Sequence, residues 1–176
     1  MIKVFTGPMF AAKSTRLIDA YNEHNILNNV LCFKPAKDTR TLTTIKSRDR
    51  DQQIEAIVIS DLSEIRQYIT TGINTIIIDE IQFLTGDVQE LLDLSLHNYL
   101  IYVAGLSLTS EQKPFGIMPQ ILAIADVIQI DTASCSECHS PAQYSYYGHI
   151  KNEDILIGDG RYMALCRNCL LNKRGN

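Results

Sequence analysis

The stretch that decides the fold reads Ile2-Lys-Val-Phe-Thr-Gly7-Pro-Met-Phe-Ala-Ala-Lys13-Ser14. Its apolar opening predicts a buried strand, and Lys13-Ser14 stands where a helix is predicted to begin. A glycine followed six residues later by Lys-Ser, between a strand and a helix, is the pattern of a phosphate-binding P-loop. In such a loop, backbone N–H groups and the positive helix N-terminus surround a polyphosphate. We therefore predict an ATP site in which Lys13 reaches the β- and γ-phosphates and Ser14 binds Mg²⁺.

One residue departs from the P-loop pattern, because Ala12 stands where a glycine is expected before the lysine. If this position is left-handed, its Cβ costs about 1–2 kcal/mol. This leaves open an alternative interpretation, a non-catalytic descendant whose P-loop no longer binds nucleotide.

Strand-like and helix-like segments alternate over the first two-thirds of the chain. After the opening strand, further apolar runs are predicted to form parallel strands, and helical stripes such as Val88–Leu96 lie between them. Asp61 and Glu64 resemble a capping box that starts another helix, followed by Leu62, Ile65 and Ile69 at helical spacing. This alternation predicts an α/β fold, a RecA-like parallel sheet flanked by helices. The polar segment Lys34–Gln53 is predicted to be a functional loop. The five further predicted strands are Val30–Phe33, Ala56–Ile59, Thr75–Ile78, Leu100–Val103 and Val127–Ile130.

Two carboxylates follow the apolar run Thr75–Ile78. In a parallel sheet they would lie at the carboxyl edge, beside the predicted P-loop. Asp79 suits a Mg²⁺-binding role, and Glu80 suits acceptance of a proton from an attacking hydroxyl. A solvated turn is the alternative interpretation of this pair.

Four of the five cysteines form two C-x-x-C pairs, Cys135/Cys138 and Cys166/Cys169. Two such pairs are typical of a tetrahedral zinc site, and four thiolates leave no position for a catalytic water, so the zinc would be structural. The string Cys135-x-x-Cys138-His139 also matches a haem-attachment motif, but haem would leave the second pair unexplained.

The bulk composition limits the partners. The chain has 176 residues and a net charge of −4, which argues against nucleic acid as a partner. No apolar run approaches membrane-spanning length, so we expect no membrane and a cytoplasmic location. The sequence character changes near Ala133, which predicts an ATP-binding domain at 1–132 and a small zinc-ribbon domain at 133–176.

Together, an ordered set of motifs resembles the zinc-containing thymidine kinases over nearly the whole chain. The motifs are Gly7-Pro-Met-Phe-x-x-Lys-Ser, Lys34-Pro-Ala-Lys-Asp-Thr-Arg40, Ser47-Arg48, Asp79-Glu-Ile-Gln-Phe83, Ala104-Gly-Leu106, Lys113-Pro-Phe-Gly116 and Tyr162-x-x-x-Cys-Arg-x-x-Cys169. The resemblance implies transfer of the γ-phosphoryl group of ATP to the 5′-hydroxyl of thymidine or deoxyuridine, giving dTMP in pyrimidine deoxynucleotide salvage. It also implies a homotetramer. The segment between the cysteine pairs would be the family's lasso, a flap that closes over the base. A P-loop ATPase acting on nucleic acid remains the alternative from another class.

The resemblance assigns roles residue by residue. Glu80 would be the general base, and Ser14, Asp79 and Asp38 would serve Mg²⁺. Arg40 and Arg48 would lie on the phosphate side. The ATP-binding set would be Gly7, Pro8, Met9, Phe10, Ala11, Ala12, Lys13, Ser14, Asp79 and Gln82. The nucleoside-binding set would be Met9, Phe83, Leu106, Phe115, Ile157 and Tyr162, and the zinc ligands would be Cys135, Cys138, Cys166 and Cys169. Ser110 departs from the family pattern, in which this position is often aromatic.

Overall fold

A computed structural model describes residues 1–27, 29–148 and 162–175. Its elements, in chain order, are β1 (Ile2–Thr6), α1 (Lys13–His24), β2 (Val30–Pro35), β3 (Thr44–Lys46), β4 (Gln53–Glu55), β5 (Ile57–Ile59), β6 (Thr75–Ile78), α2 (Gln89–Leu96), β7 (Leu100–Gly105), α3 (Met118–Ile124), β8 (Val127–Ile130), β9 (Ala133–Ser134), β10 (Pro141–Ala142), β11 (Tyr144–Tyr147), β12 (Tyr162–Leu165) and α4 (Arg167–Arg174). Two 3₁₀ helices span Leu62–Tyr68 and Ile81–Phe83.

Six strands form one parallel sheet in the order β5-β2-β6-β7-β1-β8. All six predicted strands lie in this sheet, and the predicted α/β fold class is confirmed. In this order β7 alone separates β1 from β6. The loops that follow β1 and β6 therefore leave the same edge of the sheet, one strand apart.

The sheet is covered on both faces, as its nearly continuous apolar strands require. One face packs against α2, α3 and the first 3₁₀ helix, through a cluster that includes Val4, Ile76 and Val103. The other face packs against α1 through Phe5, Ile77 and Tyr102. Alternate side chains of each central strand thus enter different halves of the core.

The segment Lys34–Gln53, predicted to be a loop, contains more regular structure than expected. Its first two residues belong to β2, and β3 and β4 form an antiparallel hairpin in which Ile45 lies opposite Ile54. Both isoleucines are buried in the same cluster as α1. One isoleucine in each strand is enough to attach the hairpin to the core, and so sparse an apolar pattern could not be recognised in the sequence.

The helix predicted after Asp61 is a 3₁₀ helix, Leu62–Tyr68. Its predicted capping box is present, with Glu64 accepting from the backbone N–H of Asp61 at 2.8 Å and Asp61 accepting from Ser63 at 3.0 Å. Leu62 and Ile65 are buried, as the helical spacing indicated.

The strands β9 to β12 and helix α4 pack around a third cluster that includes Cys135, Leu165 and Leu170. We call these elements the cysteine module. Ala11 of the P-loop is buried in the same cluster. The domain division at residues 132 and 133 stays a prediction. Across the described part of the chain, none of the helices combines the length and the apolar character that crossing a membrane requires.

Candidate active site

The loop between β1 and α1 has the sharp turns of a phosphate-binding loop. Phe10 and Ala12 are left-handed, with φ of 67° and 52°, and α1 begins directly after Ala12. At Gly7 a Cβ would lie 2.2 Å from the backbone oxygen of Asp131, so only glycine fits there. The left-handed backbone considered above for Ala12 is thus the conformation that this residue adopts.

Lys13 turns back into this loop. Its side chain is buried, and Nζ donates to the backbone oxygen of Pro8 at 2.7 Å. Burial lowers the pKa of Lys13, although the charges of Glu80 and Asp79 oppose that shift. A cation in such surroundings, with little water to compete, interacts strongly with an anionic ligand.

Asp79 stands at the end of β6, facing the start of α1. Its Oδ2 accepts a hydrogen bond from Ser14 Oγ at 2.9 Å, and its Oδ1 accepts one from the backbone N–H of Glu80 at 2.9 Å. Burial raises the pKa of Asp79 to about 6, and the neighbouring Glu80 adds to the shift. The hydroxyl of Ser14 and this carboxylate offer the oxygen ligands that Mg²⁺ prefers.

Glu80 adopts a left-handed backbone, with φ of 49°, so its side chain leaves the chain in a different direction from that of Asp79. Gln82 Nε2 donates to its Oε2 at 2.5 Å, and Arg40 Nη2 donates to its Oε1. Burial alone would raise the pKa of Glu80. The charges of Arg40 and Lys13 and the bond from Gln82 outweigh burial and lower it.

Arg40 is held by two carboxylates. Its Nε donates to Asp38 Oδ1 at 2.7 Å and its Nη2 to Asp38 Oδ2 at 3.1 Å, while Nη2 also contacts Glu80. Buried Lys34 lies 3.3 Å from Asp38. The carboxylates and hydrogen bonds of this cluster raise the pKa of Arg40 although its burial lowers it, so its positive charge is secure.

Lys13 and Glu80 line the same cavity, which has a volume of about 270 Å³. A second cavity of about 430 Å³, lined by Asp38, Asp79 and the hairpin, adjoins it. Ser14, Arg40, Arg48 and Asp49 line both.

The first cavity brings together most of the side chains expected to bind the nucleoside. Met9, Phe83, Leu106, Phe115 and Tyr162 all line it. The rings of Phe83 and Phe115 meet edge to face, with centroids 5.3 Å apart. Ile157 lies outside the described residues.

Gln82, expected to bind ATP, is buried and lines neither cavity. Besides donating to Glu80, it accepts a hydrogen bond from the backbone N–H of Leu106 at 3.1 Å. It therefore connects the loop after β6 to the loop after β7. The same two loops also approach each other at Gly116, which lies in the loop after β7. A Cβ at this residue would lie 2.1 Å from the backbone oxygen of Gln82, so the approach requires glycine.

Several polar residues around the cavities were not predicted. Thr15 bonds to Ser47 at 2.9 Å and to Asp49, which attaches the hairpin to α1. Ser145 accepts from the backbone N–H of Met9 at 2.9 Å. The position of Asp49 next to the Ser47-Arg48 motif was a usable signal, whereas nothing in the sequence around Ser145 indicates its contact with the P-loop. Thr109 and Ser110 also line the first cavity.

The four paired cysteines converge. Their sulfur atoms all lie within 4.8 Å of one another, and Sγ of Cys138 and Cys166 are 3.7 Å apart. Ligand distances of 2.3 Å in a tetrahedral zinc site imply sulfur separations of about 3.8 Å. Backbone N–H donation from Cys166 lowers the pKa of Cys135 to about 6, whereas hydrogen bonds to Cys138 and Cys166 raise the pKa of Cys169, so the fit to a metal rests on the sulfur positions. The cluster therefore fits a zinc ion.

The fold and the site together define a P-loop nucleotide-binding protein. The loop after β1 contains left-handed residues and leads to a buried lysine, and a carboxylate pair follows β6 in the same parallel sheet. The cysteine module narrows the class to P-loop proteins that carry a metal-binding appendage.

Comparison with known proteins specifies the family. A family model described as thymidine kinase matches residues 1–170. Thymidine kinase from Mycoplasma mobile is 34% identical over 97% of this chain and 87% of its own length, and that from Mycoplasma genitalium is 34% identical over 94% and 80%. Thymidine kinase from Onion yellows phytoplasma is 41% identical over 77% of this chain and 66% of its own length. The chain belongs to the thymidine kinase family.

Proposed function

We propose that this protein transfers the γ-phosphoryl group of ATP to the 5′-hydroxyl of thymidine or deoxyuridine. The observation that carries this proposal is the shared cavity, in which a buried lysine of the P-loop and a buried carboxylate face one ligand space. Family membership supplies the donor and the acceptor. With thymidine the product would be dTMP, and the reaction would belong to pyrimidine deoxynucleotide salvage.

The proposed reaction is an in-line displacement. The 5′-oxygen attacks the γ-phosphorus, the bond from that phosphorus to the β,γ-bridging oxygen breaks, and ADP leaves. The proton of the 5′-hydroxyl passes to a carboxylate oxygen of Glu80. Because the pKa of Glu80 is lowered, the carboxylate is ionised and ready to accept that proton near neutral pH.

In this scheme the guanidinium of Arg40 would exchange its carboxylate partners for the phosphates of ATP. In the structure its guanidinium contacts Glu80 and Asp38. A triphosphate lying along the N-terminus of α1 would offer it a stronger anionic partner, together with Lys13 and Arg48. Movement of Arg40 towards the phosphates would free Glu80 for the substrate hydroxyl.

Mg²⁺ and zinc enter the proposal through their ligand sets. Ser14 and Asp79 would hold Mg²⁺, with Asp38 on the same side of the second cavity. The ion would neutralise charge on the β- and γ-phosphates. The four cysteines would hold a structural zinc ion that fixes the turn between β9 and β10 relative to the end of β12 and the start of α4.

The test is formation of dTMP and ADP from thymidine, ATP and Mg²⁺, with Glu80→Gln as the matched variant. Glutamine keeps the size and the acceptor for Gln82 but cannot take a proton. We expect kcat to fall by about 100-fold or more, which is a typical general-base contribution, with little change in ATP affinity. Equal turnover in the two proteins would remove Glu80 from the proposed role.

The same assay addresses the alternative of an ATPase acting on nucleic acid. ATP hydrolysis stimulated by DNA in the absence of nucleoside would favour that alternative. The acidic balance of the chain speaks against it. A homotetramer and a cytoplasmic location complete the proposal, and light scattering should give about four times the mass of one chain.

A further inference from the structure

A continuous set of hydrogen bonds connects helix α4 to the wall of the first cavity. Arg174 Nη2 donates to the backbone oxygen of Glu111 at 3.0 Å and to Gln112 Oε1. Gln112 Nε2 donates in turn to the backbone oxygen of Ser145 at 3.2 Å. We call Arg174, Gln112 and Ser145 the Gln112 bridge.

Gln112 is suited to this position because its side chain carries an acceptor and a donor on one planar group. Its oxygen faces Arg174, while its nitrogen serves Ser145 and also the backbone oxygen of Ser110, at 2.5 Å. The residue is left-handed, with φ of 60°, and half-buried. A strained backbone whose side chain contacts both α4 and β11 indicates a position determined by its surroundings.

The loop that carries Gln112 forms one wall of the cavity. Between β7 and α3 this loop contributes Leu106, Thr109, Ser110 and Phe115 to the lining. Its ends are fixed, because the backbone N–H of Leu106 donates to Gln82 and that of Phe115 donates to the oxygen of Ser107. In the described part of the chain, the middle of the loop is hydrogen-bonded to α4 and β11 through Glu111 and Gln112.

The bridge ends on the P-loop. Ser145 is buried in β11, and while its backbone oxygen accepts from Gln112, its hydroxyl oxygen accepts from the backbone N–H of Met9. At the opposite end, α4 starts directly after Cys166 and contains Cys169. One chain of contacts thus runs from the cysteine cluster, through the cavity wall, to the loop proposed to hold ATP.

We infer that Gln112 is a positioning residue for the nucleoside, which holds the wall of the cavity against β11 and transmits the position of the metal-bound helix α4 to that wall. The inference rests on the proposed function, because the nucleoside is the ligand assigned to this cavity. Gln112 itself does not line the cavity, so it acts through Ser110, Phe115 and Ser145.

The test compares Gln112→Ala with Lys173→Ala. Lys173 is the neighbour of Arg174 on α4 and pairs with exposed Glu137 at 2.9 Å, away from the bridge. We expect Gln112→Ala to raise the KM for thymidine about tenfold and to leave the KM for ATP within about twofold, since displaced binding groups cost far more than one lost contact. Lys173→Ala should match the wild-type protein in both constants.

Two further variants separate the halves of the bridge. Gln112→Glu keeps an acceptor for Arg174 but loses the donor to Ser145, so it should behave like Gln112→Ala. The double variant Gln112→Ala/Arg174→Ala should raise the thymidine KM by a factor smaller than the product of the two single-variant factors, because both residues act through one contact chain. A wild-type thymidine KM in Gln112→Ala or in Gln112→Glu would overturn the inference.

Hydrogen exchange supplies a readout that does not depend on turnover. Amides of residues 107–116 should exchange faster in Gln112→Ala and remain unchanged in Lys173→Ala. If the wild-type protein phosphorylates thymidine and exchange and KM are unaltered in Gln112→Ala, the inference fails while the proposed function stands. A wild-type protein that is inactive with every nucleoside would defeat the proposed function instead.

Discussion

At the scale of single residues, the strained backbone of Ala12 should lower the free energy of unfolding. The residue is left-handed in the folded protein, so its cost of about 1–2 kcal/mol reduces folding stability. We expect Ala12→Gly to raise the free energy of unfolding by about 0.5–1 kcal/mol, after the greater chain entropy of glycine is subtracted. Urea unfolding measures this change.

The same variant decides whether the P-loop is impaired. Because alanine and glycine can both adopt this loop conformation, the KM for ATP should change by less than about threefold. A steep gain in ATP affinity or in turnover would instead show that the Ala12 side chain crowds the phosphates, and would support the interpretation of a weakened descendant.

Asp79 predicts a pH dependence of Mg²⁺·ATP binding. Its pKa of about 6 lies above the value of 3.8 for a free aspartate, so the stability it contributes is fully present below about pH 4 and is lost as the pH rises through 6. Binding of Mg²⁺ requires the ionised form. We therefore expect the Kd for Mg²⁺·ATP to rise by up to about tenfold per pH unit below pH 6, as measured by calorimetry.

Asp79→Asn is the control for that titration. It should bind Mg²⁺·ATP more weakly and retain only the pH dependence that belongs to the nucleotide itself. An identical slope in both proteins would show that Asp79 does not titrate on binding.

The sequence predicted Lys13, Asp79 and Glu80 because each belongs to a short motif. Lys13 begins the helix after the first strand, and the two carboxylates directly follow β6. The contact between Arg40 and Glu80 could not be predicted, since it spans forty residues and depends on the docking of the hairpin. Gln82 was predicted to bind ATP, and that role stays a prediction. Its contact with the backbone of Leu106 could not be predicted, because the sequence does not reveal that the two residues are neighbours.

At the scale of elements, the loop after β6 and the loop that precedes α3 meet at Gly116. It is left-handed, with φ of 51°, and an alanine Cβ would approach Gln82 O to 2.1 Å. We expect Gly116→Ala to cost more than about 2 kcal/mol, from strain and displacement together, and to lower kcat because Gln82 orients Glu80. Urea unfolding and steady-state kinetics provide the two measurements.

Gly72→Ala is the matched control for Gly116→Ala. Gly72 is also left-handed, with φ of 100°, but a Cβ there would have open space. It should cost only the conformational strain and leave kcat unchanged. Equal losses of stability in the two variants would mean that the contact with Gln82 is unimportant.

The strands were predictable as elements because β-branched runs buried on both faces have few other interpretations. The hairpin β3–β4 was not, because two isoleucines in a polar segment do not form a periodic pattern. The segment after Asp61 lies between these cases. Its cap and buried positions were predicted, but the choice of a 3₁₀ helix depends on packing against the sheet.

At the scale of the whole molecule, the cysteine module should need its metal. We expect one zinc per chain by elemental analysis, and loss of both zinc and nucleoside binding when Cys166 and Cys169 become serine, because α4 and β12 would lose their anchor. Cys32→Ala is the control, since Cys32 is buried in the main core and its pKa is raised to about 12 by burial. A zinc-free preparation with full activity would refute this linkage.

Ala11 packs into the core of the cysteine module, and this has a consequence for synthesis on the ribosome. Residues 7–14 emerge early, but the residues that Ala11 packs against, and the Ser145 hydroxyl that Met9 contacts, belong to residues 133–170. The nucleotide site would therefore mature only after translation has passed the last cysteine, and a nascent chain would not capture ATP before its acceptor site exists.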